Sequence, residues 1–521
     1  MSKFPRLRIS RRGFLKLSAL GLGSTLLAAC GPAGATVAPA TAAVPATLPA
    51  AAATSPASAT AKPKGKKATP TSAQASTGAP ATGSLADGLA LLGRPTANSV
   101  ALSLLASTAC QATVAYSTAP GSYTNQAGPV SLQPGEPQTV ELARLAADTA
   151  YYYQVVVAGV PAAEHTFHTQ RAPGSPFVFT IDADPHNRDP NLNGALYALT
   201  LANALHDRPD FHINLGDTFM TEKSQPHTYA EAASTFTEMR PYWGVLGADV
   251  PLFLVNGNHE GELGWLLQGK DKNLPIWSTQ LRQRYYPSPA PGGFYTGSAT
   301  QDSVLGAVRD GYYAFTWGDA LFVVLDPFWY TRAKPRAEDP ATNWNWTLGR
   351  EQYDWLKATL AASSTAHKFI FIHHLVGGAR DARGGVEFTG LYEWGGNNAD
   401  GTSDFDRQRP GWGQPIHALL VEHHVSVVFH GHDHVFVKQD LDGIVYQELP
   451  QPSLAVYGNA GPAAEYGYAH GDVLSSSGHL RVTVTPAQAT VEYVRAYLPQ
   501  DEKPGQQNGQ AAYRYTLPTN R

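Results

Sequence analysis

The stretch from Pro251 to Glu262 reads PLFLVNGNHEGE, so an apolar run passes directly into Asn258, His259 and Glu260. A short apolar run next to a turn signal is typical of a buried strand. Buried amide, imidazole and carboxylate groups cost free energy unless they are hydrogen bonded, paired or bound to a cation. The stretch therefore predicts a strand whose end belongs to a functional site.

Four other apolar runs end in the same way. They carry ADPH (Asp184, His186), LGDTF (Asp217), FIHH (His373, His374) and HGHDH (His430, His432, His434). Helical stretches such as NGALYALTLANALH and EQYDWLKATLAA alternate with these runs, which indicates an α/β layered domain. Because ligands of open α/β sheets bind beyond the carboxyl ends of the strands, we expect the five ends to meet and to hold cations.

In this order the five blocks resemble the calcineurin-like metallophosphoesterases, whose pattern is D-x-H, GD, GNH followed by Asp or Glu, a single His, and GHxH. The resemblance covers roughly residues 176–495. It implies an α/β fold of four layers, with a β-sandwich flanked by helices, and a site for two metal ions. By the resemblance, one ion is held by Asp184, His186, Asp217 and His434, and the other by Asp217, Asn258, His373 and His432.

The activity that this family resemblance implies is hydrolysis of a phosphate ester by attack of a metal-bound hydroxide. Two ions about 3.5 to 4 Å apart can generate hydroxide at neutral pH and clamp the oxygens of an in-line displacement. Asp217 would bridge the ions, His259 would act on the phosphoryl group beside them, and Glu260 would orient His259. Oxygen and imidazole ligands suit Mn, Fe, Zn or Ni, and the sequence does not choose among them.

Several assignments inside the site stay open. Asp182 precedes Asp184 in IDADPH, and the D-x-H spacing to His186 favours Asp184 as the ligand. His374 and His430 stand beside predicted ligands and are expected in the core or in the pocket wall. The segment Glu387 to Leu420 is either part of the pocket wall or a large ordered surface loop. The candidates for phosphate contact are Arg380, Arg383, Arg407 and Arg409, because guanidinium groups bind phosphate in bidentate fashion.

Two features bear on the subfamily. Short strand-like runs such as AYYYQVVV between residues 86 and 172 predict a small all-β sandwich, which resembles the fibronectin type III domain that precedes the catalytic part of purple acid phosphatases. Those enzymes carry D-x-G and GDxxY where this chain has His186 and Met220. No tyrosinate ligand to Fe(III) is therefore expected at that position. The catalytic domain is predicted over residues 173–500 and a C-terminal tail over 501–521.

The N-terminus has the layout of an export signal. SRRGFLK resembles a twin-arginine signal, and LAAC ending at Cys30 resembles the lipobox of bacterial lipoproteins, so residues 1–30 are predicted to be a signal peptide. The resemblance implies lipidation of Cys30 and anchoring at the extracytoplasmic face of the bacterial membrane. Residues 31–85 are almost wholly Ala, Pro, Thr and Ser and predict a disordered linker.

The composition narrows the partners and the chemistry. A net charge of -4, from 38 basic and 42 acidic residues, provides no basic surface for a nucleic-acid backbone. With only two cysteines, thiolate metal sites of the CxxC type are excluded. The expected partners are a small phosphorylated substrate and, through Cys30, a membrane. The alternatives are a phosphodiesterase or nucleotidase with the same site, or a non-catalytic surface lipoprotein on the same fold.

Overall fold

The computed structural model describes residues 90–519, apart from residues 226, 269–272, 379 and 459, and it does not describe the side chain of Arg380. The predicted signal peptide, Cys30 with its predicted lipidation, and the whole predicted linker lie outside the described residues. Among the helices of the described chain, none combines the length and the apolar character needed to cross a bilayer.

The described chain has more residues in strands than in α-helices. The strands are β1 Ala90–Gly93, β2 Ser99–Leu104, β3 Cys110–Ser117, β4 Asn125–Leu132, β5 Gln138–Ala143, β6 Ala150–Val157, β7 Val160–His168, β8 Phe177–Asp182, β9 Phe211–Asn214, β10 Leu252–Leu254, β11 Thr296–Gly297, β12 Gln301–Asp302, β13 Ala307–Val308, β14 Tyr313–Trp317, β15 Ala320–Val324, β16 His367–Phe371, β17 Val427–His430, β18 Phe436–Leu441, β19 Ile444–Glu448, β20 Asp472–Leu474, β21 Gly478–Val484, β22 Gln488–Arg495 and β23 Ala511–Pro518.

Seven α-helices and five short 3-10 helices lie between the described strands. The α-helices are α1 Gly194–His206, α2 Tyr229–Trp243, α3 Leu274–Tyr285, α4 Gly349–Ala362, α5 Tyr392–Gly395, α6 Phe405–Gln408 and α7 Ile416–Glu422. The 3-10 helices are Gly264–Leu266, Pro340–Asn345, Arg380–Ala382, Val386–Phe388 and Pro499–Asp501.

Two large sheets form the catalytic part. The first has nine strands in the order β23-β22-β21-β8-β9-β10-β1-β2-β5, and the second has eight in the order β11-β14-β15-β16-β17-β19-β18-β20. Strands β8, β9 and β10 are parallel neighbours in the first sheet, and β15, β16 and β17 are parallel neighbours in the second. Five of these strands end in the five polar blocks.

An aromatic layer holds the two sheets together. The rings of Phe179 from β8 and Phe322 from β15 lie 5.1 Å apart, and those of Phe253 from β10 and Phe315 from β14 lie 4.5 Å apart. All four side chains are almost completely buried in one apolar cluster that both sheets share. Aromatic side chains bury large areas and give the largest single contributions to a core of this kind.

Helices cover the outer face of each sheet. Helices α1, α2 and α3 pack on the first sheet around Trp243, and α4 and α7 pack on the second around Leu356 and Leu419. The spacing of the buried residues explains the placement of α4, because Tyr353, Leu356 and Leu360 recur every three or four positions and share one face. The predicted order of four layers, helix, sheet, sheet and helix, is confirmed.

The all-β region predicted for residues 86–172 is described from Ala90 onward. Strands β1, β2 and β5 face a four-stranded sheet of order β4-β3-β6-β7, and Leu102, Val140, Tyr153 and Phe167 are buried between them. Its three-stranded half is continuous with the first catalytic sheet, because β1 pairs in parallel with β10 at Gly93 and Leu252. The likeness to a fibronectin type III domain stays a prediction.

The predicted C-terminal tail differs in the structure. Residues 511–518 form β23, which pairs with β22 from Gln488 to Val494 and so extends the first sheet. Leu517 of this strand is 5% exposed and belongs to the core between the sheets. The alternation of Tyr513, Tyr515 and Leu517 was the available signal for a half-buried strand.

Candidate metal centre

The structure brings the five polar blocks together at the edge where the parallel strands end. Two groups of side chains there could each hold a cation, since their ligand atoms lie within 4.8 Å of one another. The first group is Asp184, His186 and His434, and the second is Asp217, His373 and His432. Asn258 adjoins the second group, with its Oδ1 3.1 Å from Nε2 of His373.

Asp217 lies between the two groups. Its Oδ2 is 3.3 Å from Nε2 of His373 in the second group and 3.7 Å from Nε2 of His186 in the first. Its Oδ1 accepts the backbone N–H of His259 at 2.8 Å, so that oxygen is already fixed. A carboxylate in this position is the one that can reach cations on both sides.

The backbone that carries these side chains is strained. Only a few per cent of non-glycine residues have positive φ, and such residues gather at functional sites. Five of the seven predicted ligands have a positive φ angle. These are Asp184 (φ 60°), His186 (55°), Asp217 (54°), His432 (82°) and His434 (63°).

Glycines permit the close packing of the loops. A Cβ on Gly431 would lie 2.6 Å from Oδ2 of Asp184, and a Cβ on Gly257 would overlap the backbone nitrogen of Asp217. The close approach of the Asp217 loop therefore excludes a side chain at Gly257.

Hydrogen bonds to the far side of each ring orient the predicted ligands. Nδ1 of His373 donates to the Leu215 carbonyl at 2.9 Å, and Nε2 of His432 donates to the Asp381 carbonyl at 2.9 Å. The other nitrogen of each ring, Nε2 of His373 and Nδ1 of His432, is the one that can bind a cation. Such partners fix the tautomer and direction of metal-binding histidines.

Two buried atoms at the centre have no hydrogen-bond partner among the described residues, namely Oδ1 of Asp184 and Nε2 of His186. Oδ2 of Asp184 accepts the backbone N–H of His432 at 2.9 Å, whereas Oδ1 faces Nε2 of His434 at 3.5 Å. Lone pairs that are buried without a donor are costly, and a cation between them removes the cost. The donor set of carboxylate, amide and imidazole groups therefore fits two cations of the kind expected.

The charges of the centre also favour the binding of cations. Burial opposes the protonated form of both His186 and His373, yet the adjacent carboxylates of Asp184 and Asp217 raise the pKa of His186 to about 10 and that of His373 to about 9. Burial also opposes ionisation of Asp184, and the neighbouring histidines outweigh it and lower the pKa of this carboxyl. The two carboxylates thus attract positive charge strongly.

His259 lies beside the two groups, and its partner corrects the sequence analysis. Its Nδ1 is 2.9 Å from Oε2 of Glu222, so Glu222 orients the ring and Glu260 does not. Glu260 instead accepts the backbone N–H groups of Gly257 at 2.6 Å and Asp217 at 2.9 Å. No pattern in the sequence pointed to Glu222, which stands five residues after Asp217.

Asp182 does not belong to either group. Its Oδ1 accepts hydrogen bonds from Nε2 of His212 at 3.0 Å and from Nδ2 of Asn214 at 2.7 Å. Asn214 in turn accepts the backbone N–H of Gly216 at 3.1 Å and the hydroxyl of Thr218. Asp182 is therefore part of a buried network that supports the loop of Asp217.

The two remaining histidines have different surroundings. His374 is buried against Phe328 and Trp346 in the cavity wall, and burial together with the neighbouring His373 lowers its pKa to about 3. Nδ1 of His430 lies 2.7 Å from Oε2 of Glu448, behind the centre. Both positions agree with the expected wall and core roles.

A cavity of about 280 Å³ opens beside the two groups. The sequence left the segment 387–420 open between a part of the wall and a large ordered surface loop. None of those residues lines the cavity, and Trp394 of that segment is completely buried. The segment is ordered structure packed on the second sheet. The side chains that line the cavity besides the predicted site residues are Glu222, Lys223, Trp265, Lys334, Pro335, Ala337, Asn343, Trp346, His374, Asp381 and Arg383.

Of the arginine candidates with described side chains, only Arg383 lines the cavity. Its Nη1 donates to the His432 carbonyl at 2.8 Å and to Oδ1 of Asp433 at 2.9 Å. Arg407 forms an ion pair with Asp404 and Arg409 pairs with Glu393, both away from the cavity. The ability of a guanidinium group to bind phosphate did not show which arginine reaches the cavity. Carboxylates elsewhere in the chain bind guanidinium groups equally well.

Residues 177–436 match the family model of the calcineurin-like phosphoesterases. Two solved structures share the fold. The structure of PhoD has 16% sequence identity and a TM-score of 0.62, over 85% of this chain and 92% of PhoD. Purple acid phosphatase PPD1 from yellow lupin (Lupinus luteus) seeds has 14% identity and a TM-score of 0.54, over 82% of this chain and 74% of the lupin protein. No curated protein matches this chain.

The match to the family model and the two groups of ligand atoms identify a metallophosphoesterase domain. The chain carries a calcineurin-like phosphoesterase domain, and the protein is a hydrolase of phosphoric esters. This conclusion decides against the non-catalytic surface lipoprotein that the sequence had left open.

The positions of Asp182 and Asp184 give a matched pair of variants. We expect Asp184→Asn to lower the metal content of the purified protein, because it removes charge from an oxygen that faces His434. Asp182→Asn should retain the metal and instead lower the free energy of unfolding by roughly 1 to 3 kcal/mol, since it disturbs a buried hydrogen-bond network. Metal analysis by mass spectrometry and urea denaturation measure the two effects. The reverse order of metal loss would move the ligand to Asp182.

Proposed function

We propose that this protein is an exported phosphatase that hydrolyses small phosphate esters at a centre of two metal ions. The observation that carries the proposal is the place of Asp217 between two groups of ligand atoms, beside unpartnered atoms of Asp184 and His186. When bound there, the ions would supply activation of a water molecule and stabilisation of the charge that develops on the phosphoryl group.

The proposed ligands divide as the family resemblance implies. One ion is assigned to Asp184, His186, Asp217 and His434, and the other to Asp217, Asn258, His373 and His432. The distances of both groups to Asp217 support the shared carboxylate. The hydrogen bonds that hold His373 and His432 support a site whose ligands are oriented before any ion binds.

His259 is the proposed general acid. Its ring is held through Nδ1 by Glu222, so that Nε2 is directed toward the centre, 3.8 Å from Oδ2 of Asp217. In that place a cationic imidazole, protonated on both ring nitrogens, can transfer its Nε2 proton to the leaving alkoxide and become neutral, or stabilise charge on the phosphoryl oxygens. Glu222 is a positioning residue, because it acts on the ring of His259 and not on the substrate.

Basic side chains at the cavity favour an anionic ester. Lys223, with its side chain 57% exposed, and the exposed Lys334 line the opening together with the half-buried Arg383. A positive rim raises the local concentration of negatively charged substrates. This arrangement supports phosphate esters as a class and does not distinguish monoesters from diesters.

The direct test is a panel of phosphate monoesters, diesters and nucleotides. The mature protein is treated with a chelator, dialysed and assayed after addition of Mn, Zn, Fe or Ni. We expect hydrolysis to disappear on chelation and to return with at least one of these metals, because both proposed ion sites use only oxygen and imidazole ligands. Full activity in protein shown to be free of metal, or none with any metal and ester, would refute the proposal.

The role of His259 predicts an effect that depends on the leaving group. His259→Ala should retain the bound metal and lower kcat for alkyl phosphates by about 10² to 10⁴, the usual contribution of general acid catalysis. The loss should be smaller for nitrophenyl phosphate, whose leaving group needs no proton. Glu222→Gln, which keeps the shape of the side chain, should show the same selectivity with a smaller loss.

Metal content measured on the same samples is the control for His259. An equal loss with both esters would make the residue a stabiliser of phosphoryl charge, and loss of metal would make it a ligand. Either result contradicts the assigned proton transfer.

The exported, lipid-anchored location is proposed from SRRGFLK and the LAAC that ends at Cys30. Cys30→Ser should release the mature protein from the membrane fraction, because no acyl chain can then be attached. The matched control is Cys110→Ser, which changes the other cysteine, in β3. If Cys30→Ser stays in the membrane fraction after a salt wash, the anchor is not at this residue.

A further inference from the structure

A buried carboxylate lies between two of the proposed ligands, and the proposed chemistry does not use it. Asp433 belongs to the HGHDH block, is 2% exposed and is in neither group of ligand atoms. Its Oδ1 accepts a hydrogen bond from Nη1 of Arg383 at 2.9 Å, and its Oδ2 accepts the backbone N–H of Gly384 and the hydroxyl of Tyr468, each at 2.8 Å. Three donors satisfy this carboxylate inside the protein, so it can hold other groups in place.

Two of these donors belong to a strained segment, residues 381–384, which we call the 381–384 loop. Asp381 (φ 57°) and Ala382 (φ 63°) both have positive φ. Two consecutive non-glycine residues in this conformation persist only where the surrounding structure holds them. The side chain of Arg383 is held a second time, because its guanidinium carbon lies 4.3 Å from the ring centre of Tyr466. The loop therefore depends on contacts from outside it.

The 381–384 loop orients one ligand of the second group. The Asp381 carbonyl accepts the Nε2 proton of His432 at 2.9 Å, so Nδ1 is the nitrogen of that ring that can bind a cation. His373, in the same group, donates from Nδ1 to the carbonyl of Leu215, the residue that follows β9. The direction of His373 thus depends on a strand end, whereas that of His432 depends on a strained loop.

Asp433 connects this loop to the second sheet. Its backbone N–H donates to Oε1 of Glu448, the last residue of β19, at 2.9 Å. The same Nη1 of Arg383 that binds Asp433 also donates to the His432 carbonyl at 2.8 Å. The loop therefore contacts His432 both at its ring and at its backbone, and Asp433 fixes the loop beside it.

We propose that Asp433 is a positioning residue for the ion assigned to the second group, because it holds the 381–384 loop where His432 presents Nδ1 to that ion. The inference rests on the metal centre of the proposed function and concerns how one of its two sites is built. Asp184 and His186, ligands of the first ion, follow β8 on the other sheet. Loss of the Asp433 contacts should therefore weaken the second ion and leave the first.

The test measures the binding of Zn²⁺ to chelator-treated protein by calorimetric titration, without substrate. Asp433→Asn keeps the shape of the side chain but replaces one acceptor oxygen by an NH₂ group, which cannot pair with the donors around it. We expect one of two binding steps to weaken by roughly 10- to 100-fold, the usual effect of losing a partner that orients a ligand, and the other step to stay.

His432→Ala identifies the step that belongs to the second group, because it removes a ligand of that ion. The step that Asp433→Asn weakens should be the step that His432→Ala abolishes. Unchanged affinities, equal weakening of both steps, or weakening of the other step alone would overturn the proposal.

Two tyrosine variants form a matched pair. Tyr468→Phe removes one donor from Oδ2 of Asp433 and should weaken the same step by roughly 3-fold or more. This variant decides the question if circular dichroism shows that Asp433→Asn does not fold. Tyr353→Phe is the control, because Tyr353 on α4 is also buried, donates to the Gln414 carbonyl at 2.7 Å and does not line the cavity. An equal effect of the two variants would contradict the assignment.

Histidine NMR reports the tautomer directly. In Zn²⁺-loaded protein with ¹⁵N-labelled histidine, His432 should bind the metal through Nδ1 and keep a proton on Nε2, and loss of these signals in His432→Ala assigns them. That proton should exchange with water faster in Asp433→Asn. Zn²⁺ bound through Nε2 of His432 in the wild-type protein would refute the inference.

These measurements separate the inference from the proposed activity. Wild-type protein that binds two ions in the expected way but hydrolyses no ester would refute the proposed function and leave the role of Asp433 standing. Binding of fewer than two ions would refute both.

Discussion

The aromatic layer between the two large sheets is the constraint on which the site depends. Phe322 at its centre contacts rings from both sheets, among them Phe179 and Phe211 at 5.1 Å each. This packing holds the parallel strands of one sheet over those of the other, so their carboxyl ends open at one edge. Loops from five strands can then place their side chains within a few ångströms of each other, although hundreds of residues separate them in the chain.

The candidate metal centre costs the metal-free protein free energy. The surrounding structure compensates for part of this cost. Buried carboxylates and imidazoles gather there on backbone with positive φ, which the surrounding structure has to hold in place. Glu260 takes up the N–H groups of the Asp217 loop, and Asp182 with Asn214 supports the same loop from below. Oδ1 of Asp184 and Nε2 of His186 lack partners and belong to the first group of ligand atoms, so metal binding there would relieve both strain and charge.

The sequence predicted most of the fold because its patterns are local. Apolar runs separated by helical stretches marked the five parallel strands that end in the polar blocks, and the polar residue types at those ends marked the predicted ligands. It missed Glu222, and it left open whether the segment 387–420 lines the cavity. Residues between Lys334 and Trp346 line it, and residues 387–420 do not. These contacts join distant segments, and no period or motif in either segment records them.

The amino-acid sequence was enough to indicate an α/β layered domain, to order the five polar blocks and to favour Asp184 over Asp182, because spacing along one strand decides which side chain passes its end. The arrangement in four layers was implied by the family resemblance. The tertiary structure alone decided which acid orients His259, which arginine reaches the cavity and what surrounds the substrate. Carboxylates compete for the same donors throughout the chain, and only the packing of the sheets and loops sets which of them come within hydrogen-bond distance.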